Sequence, residues 1–215
     1  MRLAELSARS GVSVATIKYY LREGLLHPGR RVTATQAEYD EEHLRRLRLV
    51  RALIQVGRVP VSSAREVLAA LQEEGLSRNR QLGTAVWALP HGPDPDDTDP
   101  ATASARRTAD ELLGRLGWAD DDAPEATRSA PPYRMLVTAL TTLARLGYPC
   151  SVTDLEPYAH AMARIAVDDL DLVERHAPDE QVEAAVALTV LYEPVLLGLR
   201  RLAHAQESRR RYEEG

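Results

Sequence analysis

Apolar residues recur every three or four positions along most of this chain, and no long segment alternates apolar and polar residues as a half-buried strand does. The pattern predicts a mostly α protein. Leu3 and Leu6 fall inward on a short helix over residues 3–9, which Ser10-Gly11 ends because glycine accepts a sharp turn. A second helix follows at once. Ser13 can accept a hydrogen bond from an orphan N–H of its first turn, and Gly24 can supply a left-handed stop. Ile17 and Leu21 face one way on this helix, and Ala15, Thr16, Lys18, Tyr19 and Arg22 fall on the remaining, basic arc. Two short helices joined by a tight glycine turn predict a helix-turn-helix.

After Leu25-Leu26, Pro28-Gly29 punctuates a stretch in which Val32, Thr33 and Thr35 favour extended backbone. A small two-stranded wing carrying Arg30 and Arg31 is expected there. Asp40 then caps a longer helix whose apolar stripe is Leu44, Leu47, Val50 and Ile54, with Gly57 as its end. Ser63 and Glu66 have capping-box spacing before the apolar face of Ala64, Val67, Leu68 and Leu71. Residues 76–89 make one short helix. The Pro- and Asp-rich run 90–105 offers little to bury and predicts a mobile linker. Helices are expected near 105–117, 132–147, 153–176 and 179–209, with Thr153 and Glu156 as a second capping box and a kink at Pro194. The division this implies is 1–74 for a winged helix-turn-helix domain, 75–104 for a short helix and linker, and 105–215 for a C-terminal helical bundle.

Charge sharpens that division. Residues 1–71 hold 12 Lys and Arg against 7 Asp and Glu, whereas 72–215 hold 15 against 25, within a formal net charge of -5. The N-terminal part is the candidate polyanion binder. A single cysteine, Cys150, excludes an internal disulfide and is expected as a small buried hydrophobe. The six histidines, His27, His43, His91, His160, His176 and His204, show no ligand spacing, so neither a metal nor a cofactor is proposed. No window approaches a membrane span and no secretion signal opens the chain, which points to a cytoplasmic protein. Gly-rich phosphate loops, a nucleophile elbow and HExxH are all missing, so an enzyme is not expected.

The stretches "LAELSARSGVSVATIKYYLREGLL", "EYDEEHLRRLRLVRALIQVG" and "VSSAREVLAAL" resemble the DNA-binding domain of the MerR family of bacterial transcription regulators over residues 2–71. Lys18, the one lysine of the chain, stands where that family usually has arginine, in a Thr-Ile-Arg-Tyr-Tyr motif. The resemblance implies a dimer on double-stranded promoter DNA, with RNA polymerase as a further partner. A helix presenting Thr16, Lys18, Tyr19 and Arg22 suits a major groove, and a lysine ammonium suits phosphate contact better than base reading. Tyr20, three after Ile17, is expected in the core. The candidate DNA contacts are Ala15, Thr16, Lys18, Tyr19, Arg22, Arg30, Arg31, Tyr39 and Arg46. The wing departs from the family's Gly-Tyr-Arg-x-Tyr, since Thr35, Gln36, Ala37, Glu38 and Tyr39 stand there and only the last tyrosine remains. The family's long dimerisation helix is not found after the domain, so dimerisation falls to the C-terminal part. There Trp118, Tyr133, Tyr148, Tyr158 and Tyr192 form a candidate pocket for an unknown small-molecule effector, with core packing as the plainer alternative. The rival function is a protein-binding adaptor or anti-activator with a degenerate DNA-binding domain.

Overall fold

The computed structural model describes residues 1–33, 36–71, 77–120, 122–178 and 180–213. Thr35, Leu76 and Asp179, which the sequence places in the wing, the short fifth helix and the last helix, lie outside them. Two compact units result: Met1–Leu89 with Val173–Gly215, and Pro90–Leu172.

The first unit opens with α1 (Leu3–Ser10), stopped by left-handed Gly11, and α2 (Val14–Arg22), capped by Ser13. Strands β1 (Arg30–Arg31) and β2 (Ala37–Glu38) pair antiparallel, Arg30 opposite Glu38 and Arg31 opposite Ala37. Gly29 is needed beside this ribbon: an added Cβ would sit 2.7 Å from the Glu38 carbonyl and 2.9 Å from the Tyr39 ring. Helix α3 (Glu41–Arg51) starts at Asp40 in a reciprocal cap with His43 and runs into a π-helical turn, Ala52–Val56. Hydrogen bonding from His43 holds the Asp40 carboxyl below its ordinary range. Helix α4 (Val61–Ala70) begins earlier than Ser63 implies, with Pro60 as cap residue, so Ser63 and Glu66 form no capping box. Helix α5 (Arg78–Trp87) is capped by Ser77.

The last helix, α10 (Gln181–Tyr212), belongs to this same unit. Its Val186 and Val190 join Leu6, Ile17, Leu44, Leu47, Val50, Leu53, Val67 and Leu68 in one buried core. By position in the chain this helix is expected in the C-terminal bundle, because its apolar residues do not reveal which surface they cover. Gly57 is the contact that admits it: a Cβ there would lie 2.0 Å from Val190 Cγ1. Between Val182 and Leu199 the charged residues are Glu183 and Glu193 alone. By length and composition α10 is therefore apolar enough to cross a bilayer, which the sequence reading had not recognised.

The second unit contains α6 (Pro100–Leu116), α7 (Pro124–Ser129), α8 (Pro131–Arg145) and most of α9 (Val152–Glu174). Its cores are small-sided: Ala105, Ala109, Ala130, Tyr133, Val137 and Leu140 in one, Leu112, Val152 and Ala159 in the other. The expected linker is shorter than its composition suggested. Asp99 caps α6 by accepting from the Ala101 N–H, and Pro100 takes the first helical position, where its missing N–H costs nothing. Of the other aspartates of the run, Asp94 pairs with Arg134 at 2.7 Å and Asp97 with Arg106 at 2.5 Å, while Asp96 accepts from the Thr98 N–H and hydroxyl. The cap of α9 is also displaced by two residues: Ser151 and Asp154 bond each other's backbone N–H, in place of Thr153 and Glu156. Cys150 is half-buried against the Val137 core.

Candidate nucleic-acid interface

Helix α2 is amphipathic in the sense a groove-reading helix requires. Ser13 Oγ accepts from the Thr16 N–H at 3.1 Å and lies 2.8 Å from Thr16 Oγ1, fixing the first turn. Ile17 and Tyr20 are buried, and burial pushes the Tyr20 phenol up. On the opposite arc Ala15, Lys18, Tyr19 and Arg22 are exposed and Thr16 is half-buried. Residues 15, 18, 19 and 22 are spaced three and four apart, so they form one strip. The Arg22 guanidinium carbon lies 5.9 Å from the Tyr19 ring centroid, which gives that long side chain a preferred direction.

The strip is held from behind by arginines. Arg65 donates through Nε to the Glu23 carbonyl at 2.8 Å and pairs with the Glu23 carboxylate at 2.7 Å, tying α4 to the end of α2. Arg46 donates from Nε to the Leu25 carbonyl at 3.1 Å and from Nη2 to the Leu68 carbonyl at 3.4 Å. Arg51 donates to the Ser10 carbonyl at 3.3 Å, bracing the turn between α1 and α2. Arg46 is thus a strut and not the DNA contact its place in the sequence suggested. Its guanidinium is turned inward, where burial disfavours the charged form.

Tyr39 also leaves the contact set. Its ring is buried in the core, edge-on to His43 at 5.2 Å between centroids, and burial pushes its phenol up. Its backbone exchanges hydrogen bonds with Met1, at 2.8 Å from the Tyr39 N–H and 2.6 Å to its carbonyl. The sequence signal that could have found this is the apolar company of Leu44 and Leu47, one and two helical turns further on. In the wing Arg31 is exposed, and Arg30 is exposed but pairs with Glu38 across the ribbon at 2.5 Å.

The five candidate effector aromatics are divided between the two units. Tyr192 lies on α10 in the first unit, and Trp118, Tyr148 and Tyr158 are exposed in the second. Tyr133 is buried and donates to Asp110 at 2.7 Å, with its phenol pushed up to about 12 by burial and by that carboxylate. Asp110 also lines an open, polar cleft of about 520 Å³ with Asp97, Arg106, Glu125, Arg128 and Ser129.

A helix-turn-helix with an outward cationic strip, an adjacent two-stranded wing and a buried rear face defines a winged helix-turn-helix DNA-binding protein. The comparisons with known proteins give the particular family. The family described as MerR HTH family regulatory protein matches residues 1–71. The HTH-type transcriptional regulator ZntR homolog of Haemophilus influenzae is 38% identical over 50 residues, which make up 23% of this chain and 37% of that protein. The chain thus matches little more than a third of that relative's length. A crystal structure of SCO5550 from Streptomyces coelicolor A3(2), assigned as a transcriptional regulator, is 54% identical over 99% of this chain and 98% of its own, with a TM-score of 0.82. Residues 1–71 are therefore a MerR-family DNA-binding domain, in a chain that resembles a transcriptional regulator along its whole length.

Proposed function

We propose that this protein is a cytoplasmic regulator that binds promoter DNA as a homodimer, lays Lys18, Tyr19 and Arg22 into a major groove, and places Arg30 and Arg31 on the flanking backbone. The observation that carries this reading is the strip on α2, exposed on the arc the sequence assigns to DNA while Ile17 and Tyr20 anchor the opposite arc. Promoter occupancy brings RNA polymerase within reach as a partner. The dimer is supported by the second half of α10, where Val195, Leu199 and Leu202 are 47%, 58% and 68% exposed on a helix whose first half alone is built into its unit. Paired copies would present two α2 strips to successive half-sites. Small-molecule control falls to the second unit, at the open cleft lined by Arg106 and Arg128.

Lys18→Ala tests the contact. It should weaken binding to all duplexes and make the dependence of log affinity on log salt shallower by roughly one unit, as the loss of one phosphate contact requires. An unchanged slope removes Lys18 from the interface. Footprinting of the protein's own promoter region tests the function: protection of a near-palindrome supports the regulator, and no protection at low salt gives the adaptor reading instead.

A further inference from the structure

From the basic run along the first strand of the wing we infer that Thr33 is a phosphorylation site for a serine/threonine kinase with an acidic substrate groove, and that its phosphate loosens the wing's hold on DNA. The inference rests on the reading above that Arg30 and Arg31 lie on the DNA backbone, and adds a covalent control of that contact.

Arg30-Arg31-Val32-Thr33 is the one place in the sequence where two adjacent arginines stand three and two residues before a serine or threonine. A guanidinium presents a planar fork that a carboxylate can grip through two parallel hydrogen bonds. Two such forks at fixed offsets from a hydroxyl let acidic subsites seat that hydroxyl in register. All four residues are exposed. Arg30 pairs with Glu38 across the ribbon, but its side chain is 80% exposed, and a surface pair of this kind yields readily to a competing carboxylate.

The backbone yields as well. Strand pairing ends at Arg31 opposite Ala37, and beyond it the N–H groups of Val32 and Thr33 both donate to the Gln36 carbonyl, at 2.9 and 3.2 Å. A two-stranded ribbon is marginal by itself. Lifting residues 32 and 33 into the extended form that a kinase cleft accepts gives up these two bonds, while Leu26 and Tyr39, both buried, keep the ends of the wing in place.

The transfer is a single displacement. Thr33 Oγ1 attacks the γ-phosphorus of magnesium-bound ATP, the bond from that phosphorus to the bridging oxygen breaks to release ADP, and the hydroxyl proton passes to the kinase's catalytic carboxylate. Residues 29–39 carry Arg30 and Arg31 against Glu38, a net charge of +1. A phosphothreonine adds roughly -1.5 to -2 at pH 7, so the sign of the wing's charge reverses. The new phosphate also stands two residues from Arg31, where it competes with the DNA backbone for that guanidinium. Lys18 and Arg22 keep their own contacts, because they lie on α2.

Treating the full chain with magnesium ATP and a purified kinase that requires arginines two and three residues before its acceptor tests this, with tandem mass spectrometry to locate the phosphate. Phosphate is expected at Thr33 of the wild type, and that site is lost in Thr33→Ala. The modified protein should lose about tenfold or more in affinity for duplex DNA at low salt. Its dependence of log affinity on log salt should become shallower by roughly one to two units, since each lost phosphate contact removes about one. Thr33→Ala, treated or untreated, should bind as the untreated wild type does. Absence of phosphate from Thr33 overturns the site and leaves the DNA-binding reading untouched. Phosphate at Thr33 with unchanged affinity and slope overturns the control. Arg31→Ala separates the two causes of that result: an unchanged slope in this variant removes the wing from DNA, whereas a shallower one keeps the wing contact and discards its control by phosphate.

Discussion

The two units pair their arginines differently. In the second unit Arg106, Arg128, Arg134 and Arg145 each meet a carboxylate, of Asp97, Asp110, Asp94 and Asp99 in that order, so these positive charges are locally neutralised in a unit already rich in carboxylates. In the first unit Arg9, Arg30, Arg45 and Arg65 also pair with carboxylates, but Arg46 and Arg51 donate to the carbonyls of Leu25, Leu68 and Ser10, which satisfies their N–H groups without neutralising them. A carbonyl partner leaves the full charge of the guanidinium in the local field. The first unit therefore keeps a positive background behind the exposed Lys18 and Arg22, although several of its arginines never touch DNA. Counting arginines would have ranked the units by composition; their partners rank them by field.

Core packing differs as sharply, with large aliphatic side chains filling the first unit and alanines lining the second. Ile17→Ala should therefore cost about 2–5 kcal/mol and move only the first unit's transition in scanning calorimetry. One merged transition moving as a whole would show that the units do not unfold independently. Gly57→Ala should cost about 1–3 kcal/mol by forcing a methyl into Val190, and adding Val190→Ala should recover part of it, the Leu53 carbonyl at 2.9 Å still meeting that methyl. No recovery would mean that α10 is held elsewhere. Arg46→Ala should cost about 1–3 kcal/mol, because two carbonyls lose their donor, yet leave the salt slope of DNA binding unchanged. Set beside Lys18→Ala, which should alter the slope and hardly the stability, it separates strut from contact.

The smallest expected effect lies at Glu183, half-buried on α10, where burial raises the carboxyl above its ordinary range. The folded state then binds more protons than the unfolded one across that window. Stability falls as pH rises through it, and the penalty persists at neutral pH. Glu183→Gln should accordingly be more stable than wild type at pH 7 by under about 1 kcal/mol, after allowance for solvent screening, and equal to it below the carboxylate range. Thermal melts at both pH values check the sign.

Much of the first unit was legible beforehand. Ser13, Gly11 and Asp40 mark helix ends through bonds made within three or four residues, and Ile17 with Tyr20 marks the buried side of α2 by spacing alone. The misread caps at Ser63 and Thr153 share a cause: several nearby residues have the chemistry to cap, and the packing of the helix selects among them. Arg46 and Tyr39 were misassigned because an arginine on a helix and a tyrosine after a wing carry no local sign of which way they turn.

The sequence by itself determined the helical class, the helix-turn-helix and the cationic arc of α2, since these depend on residues a turn or less apart, whose geometry the chain cannot vary. Only the tertiary structure decided that α10 returns to complete the N-terminal core, which arginines become struts and where Tyr133 hides its hydroxyl. Those outcomes rest on close approaches such as Val190 against Gly57, between residues far apart along the chain. Many similar side chains compete for such partners, and complementary shape, not proximity in the chain, chooses among them.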